Sequence, residues 1–107
     1  MNEPLNWITQ RQQEYQRKLG AWNKARPYIG YDAGIWRVDD YNRTIKWDDY
    51  GLQTAYGWEI DHILPQALFP AKTHQPSNLR ALHWQSNRTK SDKIDYTGLS
   101  GLLKGLL

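Results

Sequence analysis

Two stretches of the sequence decide the fold, GWEIDHILPQA at 57–67 and NLRALHWQSNRTKSDK at 78–93. The first predicts a strand over 58–64, because apolar and aromatic residues dominate it and a proline ends it. The second predicts a strand over 79–82 and then a short polar helix over 85–93. We therefore expect two strands followed by a helix at the centre of the fold.

Oxygen and imidazole groups gather on these elements. Asp61 and His62 are adjacent on the first strand, where a buried aspartate requires an ionic partner or a bound cation. Asn78 opens the second strand and Asn87 lies on the helix, and an asparagine amide oxygen is a neutral ligand suited to Mg²⁺ or Mn²⁺. This layout could hold one divalent ion.

One difficulty concerns the direction of the first two side chains. Adjacent residues on a regular strand point to opposite faces, yet Asp61 and His62 would have to serve one site. A strand end, a bulge, or a phosphate lying across the edge of the strand would bring them together.

The residues before these stretches predict a helix and a hairpin. Apolar residues three and four positions apart indicate one face of a helix over 4–24, which Arg26-Pro27 ends. Two segments rich in β-branched and aromatic residues, 35–38 and 44–47, flank a turn-prone stretch and indicate a hairpin. Residues 98–107 form a Gly- and Leu-rich tail that is too short to span a membrane.

The composition narrows the class of protein. The chain has 107 residues, which suits one small domain, and its lack of cysteine excludes a disulfide scaffold, a thiolate zinc site and a cysteine nucleophile. Fourteen Lys and Arg against eleven Asp and Glu give a net charge of +3, which is compatible with nucleic acid but does not establish it. The N-terminus lacks the layout of a signal peptide, so we expect a cytoplasmic protein without membrane contacts.

The two stretches together closely resemble the HNH endonucleases of the ββα-metal superfamily. The family pattern is an acidic residue and a histidine on the first strand, a middle asparagine, and an asparagine or histidine on the helix followed by Arg or Lys. The sequence IWRVDDYNRTIKWDDYGLQTAYGWEIDH at 35–62 also resembles the irregular hairpin that precedes the motif in small bacterial and phage members. The resemblance covers about 26–93. It does not cover the N-terminal helix or the tail, and it implies an HNH nuclease domain at 26–97 with a ββα-metal core behind an irregular β-hairpin. Together with the helix expected at 1–25 and the tail at 98–107, this predicts an α+β fold.

Position by position, the resemblance implies a role for each candidate residue. His62 matches the general base that activates a water. Asp61 and Asn87 match the two ligands of a divalent metal, with Mg²⁺ as the first choice and Mn²⁺ or another divalent ion as alternatives. Asn78 matches the middle asparagine, which bonds backbone groups and holds the two strands in register. Glu59 matches an acidic position that orients the site.

Basic residues and a further histidine complete the candidate set. The candidates for contacts with DNA phosphates are Arg37, Arg88, Lys90 and Lys93. His83 lies one helical turn before the second ligand and is an alternative metal ligand, although a packed or hydrogen-bonded histidine next to Trp84 is the simpler interpretation.

The resemblance implies hydrolysis of DNA phosphodiester bonds by a one-metal-ion mechanism, in which neutral His62 takes a proton from the attacking water. The products would carry 5′-phosphate and 3′-hydroxyl ends. Two alternatives stay open: a nucleic-acid-binding module that does not cleave, and an HNH subunit active only within a larger assembly, such as phage DNA packaging or a toxin–immunity pair. A protein partner or a homodimer could add DNA-binding surface to a domain with so small a charge.

Overall fold

The computed structural model describes residues 3–91, which form an α+β fold with two α-helices and two small antiparallel sheets. Helix α1 (Glu3–Lys24) comes first. It leads into a three-stranded sheet in the order β1 (Arg26–Pro27), β2 (Trp36–Val38) and β3 (Thr44–Lys46). The helix and the β2–β3 hairpin lie where the sequence predicts them, whereas pairing of Arg26-Pro27 with β2 was not expected.

The second sheet and the second helix carry the candidate residues. Strand β4 (Trp58–His62) pairs with β5 (Leu79–His83), and helix α2 (Trp84–Lys90) follows β5 directly. The first predicted strand therefore ends two residues early. Lys93 and the tail at 98–107 lie outside the described residues. None of the helices in the described part of the chain has the length and apolar character needed to cross a membrane.

The core lies between α1 and one face of the β4–β5 sheet. Four of its buried residues come from α1, β3, β4 and β5, namely Trp22, Ile45, Trp58 and Ala81, and the fifth, Ala25, lies between α1 and β1. The rings of Trp22 and Trp58 pack with centroids 5.1 Å apart, so large aromatic rings form part of the interior. The early part of α1 extends past this core, because Trp7 and Tyr15 are more than half exposed.

Alternation along β4 separates an apolar face from a polar one. Trp58 and Ile60 pack into the core beneath α1. Glu59 and Asp61 have the opposite orientation and bond to side chains of α2. Helix α2 therefore faces the carboxylates of β4, and this face holds the candidate site.

Candidate functional site

A cavity of about 540 Å³ lies beside β4 and α2. Its lining includes Asp61, His62, Asn87 and Lys90, together with residues 65–67 of the loop after β4. Strand β4 pairs with β5 on one side only, and beyond Trp58, which bridges to Tyr50, no other strand of residues 3–91 lies beside it. The side chains of Asp61 and His62 point to opposite faces of β4, yet both reach one cavity at the edge of the sheet. Adjacent residues of the strand can therefore serve one site.

The Asn87 amide is oriented by Glu59. Its Nδ2 donates a hydrogen bond of 2.9 Å to Glu59 Oε1 across the gap between α2 and β4. Because the amide nitrogen faces the glutamate, the amide oxygen faces away from it and is the atom that could bind a cation. Glu59 thus contacts the candidate ligand directly and acts on its orientation.

Asp61 lies in a buried ionic cluster. Only 5% of the residue is exposed, and Arg80 Nε approaches its Oδ2 to 2.9 Å. Lys90 Nζ lies 2.9 Å from Oδ1 and 3.1 Å from Oδ2, and it also donates to the backbone oxygen of His62 at 2.5 Å. Arg80 continues the cluster through a 3.0 Å ion pair with Asp40. A buried carboxylate between two basic side chains has the ionic partners that its burial requires.

His62 is the half-buried histidine of the cavity. Its Nε2 is buried and finds no hydrogen-bond partner in the part of the chain that the structure describes. Burial lowers the pKa of His62 below its ordinary value of 6.5 and outweighs the opposing influence of the Asp61 carboxylate and of a hydrogen bond to the Thr73 backbone. The ring is therefore neutral near pH 7, and one of its nitrogens is uncommitted.

Asn78 holds the turn that follows β4. The residue is fully buried, its Oδ1 accepts from the backbone N–H of Leu64 at 2.7 Å, and its Nδ2 donates to the Leu64 carbonyl at 3.2 Å. Its own carbonyl accepts from the Ile63 N–H at 2.8 Å. These bonds replace the strand ladder just after His62, which is why β4 ends earlier than the sequence predicts, and Asn78 acts as a positioning residue.

Both ring nitrogens of His83 are bonded within the described chain. Nδ1 accepts from the Gln85 N–H at 3.0 Å and caps α2, whereas Nε2 bonds the Ala55 carbonyl at 2.9 Å. The ring also stacks on Trp84. The alternative in which His83 supplies a metal ligand is therefore wrong for this arrangement, because neither nitrogen has a free lone pair to offer.

Two of the expected phosphate contacts need correction. The Arg37 guanidinium donates to the carbonyls of Ala33, Asn23 and Ala25 at 2.9–3.2 Å, so it fastens β2 to the end of α1. Lys90 is 5% exposed and its ammonium is bonded to Asp61, so in this arrangement it is not available to a phosphate.

Arg88 remains exposed on α2, with its guanidinium carbon 5.0 Å from the centre of the Trp84 ring. Of the three basic candidates within residues 3–91, Arg88 is the one classed as exposed. Lys93 lies beyond the described residues.

Sequence reasoning missed two buried residues that shape the site. Arg80 was not considered, although it is the one charged residue on the otherwise apolar strand β5 and lies opposite Asp61 in the sheet register. Asp39 is fully buried; its Oδ1 accepts from the N–H groups of Tyr41 and Arg43, and its Oδ2 accepts from the His83 N–H at 2.9 Å. The turn-forming composition around Asp39 was visible, but its bond to a strand 44 residues away was not.

The donor set suits a hard divalent cation on one condition. Asp61 and Asn87 bring a carboxylate and an amide oxygen to one cavity, and Mg²⁺ favours oxygen ligands with several waters retained. No group of three or more His, Asp or Glu side chains within residues 3–91 is placed to hold a metal, so the ion would depend on this pair. The condition is that the Lys90 ammonium leaves the two carboxylate oxygens to which it is bonded.

No protein-family model, curated protein or solved structure matches this chain.

Proposed function

We propose that the chain is a metal-dependent endonuclease of the HNH type, with β4, β5 and α2 as its ββα-metal core. The observation that carries the proposal is the cavity at the edge of β4, which collects Asp61, His62 and Asn87 from two elements. A neutral imidazole beside two oxygen donors is a combination suited to the hydrolysis of a phosphodiester.

His62 is the group that would move the proton. Its lowered pKa keeps the ring unprotonated near neutral pH, and Nε2 is the nitrogen without a partner in residues 3–91. An unpaired polar atom that is buried costs about 1–3 kcal/mol, which favours a rotation of the side chain that brings Nε2 to water in the cavity. The Thr73 backbone bond supports the ring from the loop side.

The remaining residues would hold the metal ion and orient the groups around it. Asp61 and Asn87 would hold a divalent ion, which when bound would polarise the phosphate and stabilise the leaving oxygen. Glu59 keeps the Asn87 amide nitrogen turned toward itself, so the amide oxygen is presented without a search over rotamers. Asn78 fixes the turn that directs His62.

The substrate would be DNA, bound through its phosphates. Arg88 is the exposed cation of α2 next to the cavity residues, and such contacts give salt-dependent binding with little sequence preference. The exposed apolar residues of early α1, Trp7, Ile8 and Tyr15, offer a surface to a protein partner or a second copy of the chain.

One observation favours a second candidate function. The Asp61 carboxylate is neutralised by Arg80 and Lys90, which is the state expected of a nucleic-acid-binding module that does not cleave. In that case the fold and the basic surface would be used without hydrolysis.

Cleavage of supercoiled plasmid at low salt separates the two functions. We expect nicking with Mg²⁺ or Mn²⁺, none with EDTA, and a loss of about 10²–10⁴-fold in His62→Ala. His74→Ala is the matched control, because His74 is an exposed histidine on the loop that follows β4 and its removal should leave the rate unchanged. Retention of DNA by wild type and His62→Ala, with no cleavage by either, would favour the binding module.

A further inference from the structure

The ammonium of Lys90 sits where a small cation is surrounded by oxygens. Three oxygens lie within 2.5–3.1 Å of Nζ, namely Oδ1 and Oδ2 of Asp61 and the backbone oxygen of His62. The residue is 5% exposed, which is unusual for lysine and requires full pairing of its charge. Both side-chain oxygens of the proposed metal ligand are thus bonded to a cation that belongs to the protein.

We propose that Lys90 is the resident cation of this site and competes with the divalent ion for Asp61, so that metal binds only as Lys90 leaves. The inference rests on the proposed function, because it assumes that Asp61 is a metal ligand. The competition makes Lys90, which is not itself a metal ligand, a determinant of the metal affinity.

Lys90 is placed to leave, whereas Arg80 is not. Lys90 is the last residue of α2 and lines the cavity, so its flexible side chain can turn into the open space beside it. Arg80 lies within β5, is 3% exposed and is also held by Asp40 at 3.0 Å. Displacement of one cation therefore does not require the other to move.

The charges around Asp61 tolerate the exchange. Three carboxylates, those of Asp40, Glu59 and Asp61, lie in this region with the two cations Arg80 and Lys90. When Lys90 departs, Asp61 keeps its ion pair with Arg80 and is not left as an unpaired buried charge. A divalent ion could then take the place of the ammonium as the second cation beside Asp61.

The exchange also links metal binding to the substrate. A displaced Lys90 would carry its charge into the cavity, where a phosphate oxygen is a better partner than water. Substrate and metal would then strengthen each other's binding, and the free protein would hold metal weakly.

Calorimetric titration of the full chain with MnCl₂, without DNA, tests the competition. We expect Lys90→Gln to bind Mn²⁺ about tenfold or more tightly than wild type, because the ion no longer displaces charge-assisted hydrogen bonds. Arg11→Gln is the matched control: it removes the same charge from an exposed position on α1, outside the lining of the cavity, and should keep the wild-type affinity. Asp61→Asn should lose the binding.

Each outcome has a separate meaning. Equal affinity in Lys90→Gln and Arg11→Gln, or weaker binding in Lys90→Gln, would overturn the competition while leaving the metal site in place. Absence of Mn²⁺ binding in every variant would overturn the competition together with the metal-dependent nuclease.

A second measurement uses the wild-type protein and does not depend on the folding of a variant. A buried ammonium bonded to a carboxylate exchanges its protons slowly, so Lys90 should give a ¹⁵Nζ signal in spectra of the metal-free chain, assigned by its loss in Lys90→Arg. Saturating Mg²⁺ should remove that signal. Its persistence unchanged at saturating Mg²⁺ would overturn the proposal.

Discussion

Each end of the β4–β5 sheet carries one histidine, and the two histidines differ in the hydrogen bonding of their ring nitrogens. At one end Trp58 pairs with His83, both are buried, and the two His83 nitrogens are hydrogen-bonded. At the other end His62 pairs with Leu79, and His62 Nε2 lacks a partner among residues 3–91. Histidine therefore has a structural role at one end, whereas at the other end one ring nitrogen has no hydrogen-bond partner among residues 3–91.

The difference lies in what surrounds each end. The Trp58 end is sealed by the aromatic core and by the cap of α2, so every polar group there is paired. The His62 end opens to the cavity and to the loop that Asn78 holds. Buried polar atoms in native proteins are nearly always paired, so an unpaired one beside a polar cavity points to function.

The largest expected effect is on stability at the sealed end. Trp58→Ala should lower the free energy of unfolding by about 3–5 kcal/mol, because it removes a fully buried ring that contacts Trp22 and Trp47. Trp7→Ala makes the same change at an exposed position and should alter it by about 0.5 kcal/mol or less. Denaturant unfolding measures both, and equal losses would remove the contrast between core and periphery.

Substitution of each histidine by alanine should change the free energy of unfolding differently at the two ends of the sheet. His83→Ala should lose about 2 kcal/mol, because it removes the cap of α2 and leaves the Ala55 carbonyl unpaired. His62→Ala should lose less stability than His83→Ala, because Nε2 makes no bond within residues 3–91 and the change removes only the packing of a half-buried ring and its bond to the Thr73 backbone, while cleavage is lost. Urea melts of the two variants, side by side, would contradict this if His62→Ala were the less stable.

A change at Glu59 should act on the open end through Asn87. Glu59→Ala removes the acceptor that orients the amide, and we expect cleavage to fall about tenfold with stability little changed. Glu59→Gln keeps a carbonyl oxygen at this position and should recover most of the rate. Steady-state cleavage assays at saturating Mg²⁺ compare the rates of the two variants. Equal losses of rate in Glu59→Ala and Glu59→Gln would contradict the role of Glu59 as the acceptor that orients the Asn87 amide.

The smallest effect concerns pH and the metal-free protein. The pKa of His62 is lower in the folded state than its ordinary value of 6.5, so below pH 6.5 the unfolded chain binds a proton that the folded chain resists. Stability contributed by neutral His62 is therefore present above pH 6.5 and is lost as pH falls toward the folded pKa. Unfolding in EDTA over this range should show a steeper decline for wild type than for His62→Ala, and parallel curves would contradict the assignment.

Much of the fold could be predicted because it follows from local patterns. Helix α1, the β2–β3 hairpin and the β4–β5–α2 succession lie close to their predicted positions, since each has its own periodicity and turn residues. Strand β1 was missed because two residues that include a proline carry no strand pattern.

The partners of the site were beyond local patterns. Lys90 and Asp61 are 29 residues apart in the chain, and Arg37 bonds carbonyls at the end of α1, so neither partner can be inferred from neighbours in sequence. Residue type does not distinguish an exposed lysine that binds phosphate from a buried lysine that pairs with a carboxylate. Only the packing of α2 against β4 distinguishes the two. The catalytic and metal-binding roles stay predictions.

The bonds of Asp39 have a consequence for the rate of folding. Its carboxylate joins the tip of the hairpin to the His83 N–H, 44 residues along the chain, and nearby Arg43 reaches Ser86 on α2. Contacts of such separation form after local ones, because the chain must first be closed into a large loop. We therefore expect the contacts of Asp39 and Arg43 with β5 and α2 to form after α1 and the hairpin, so that substitutions at Asp39 should speed unfolding more than they slow refolding.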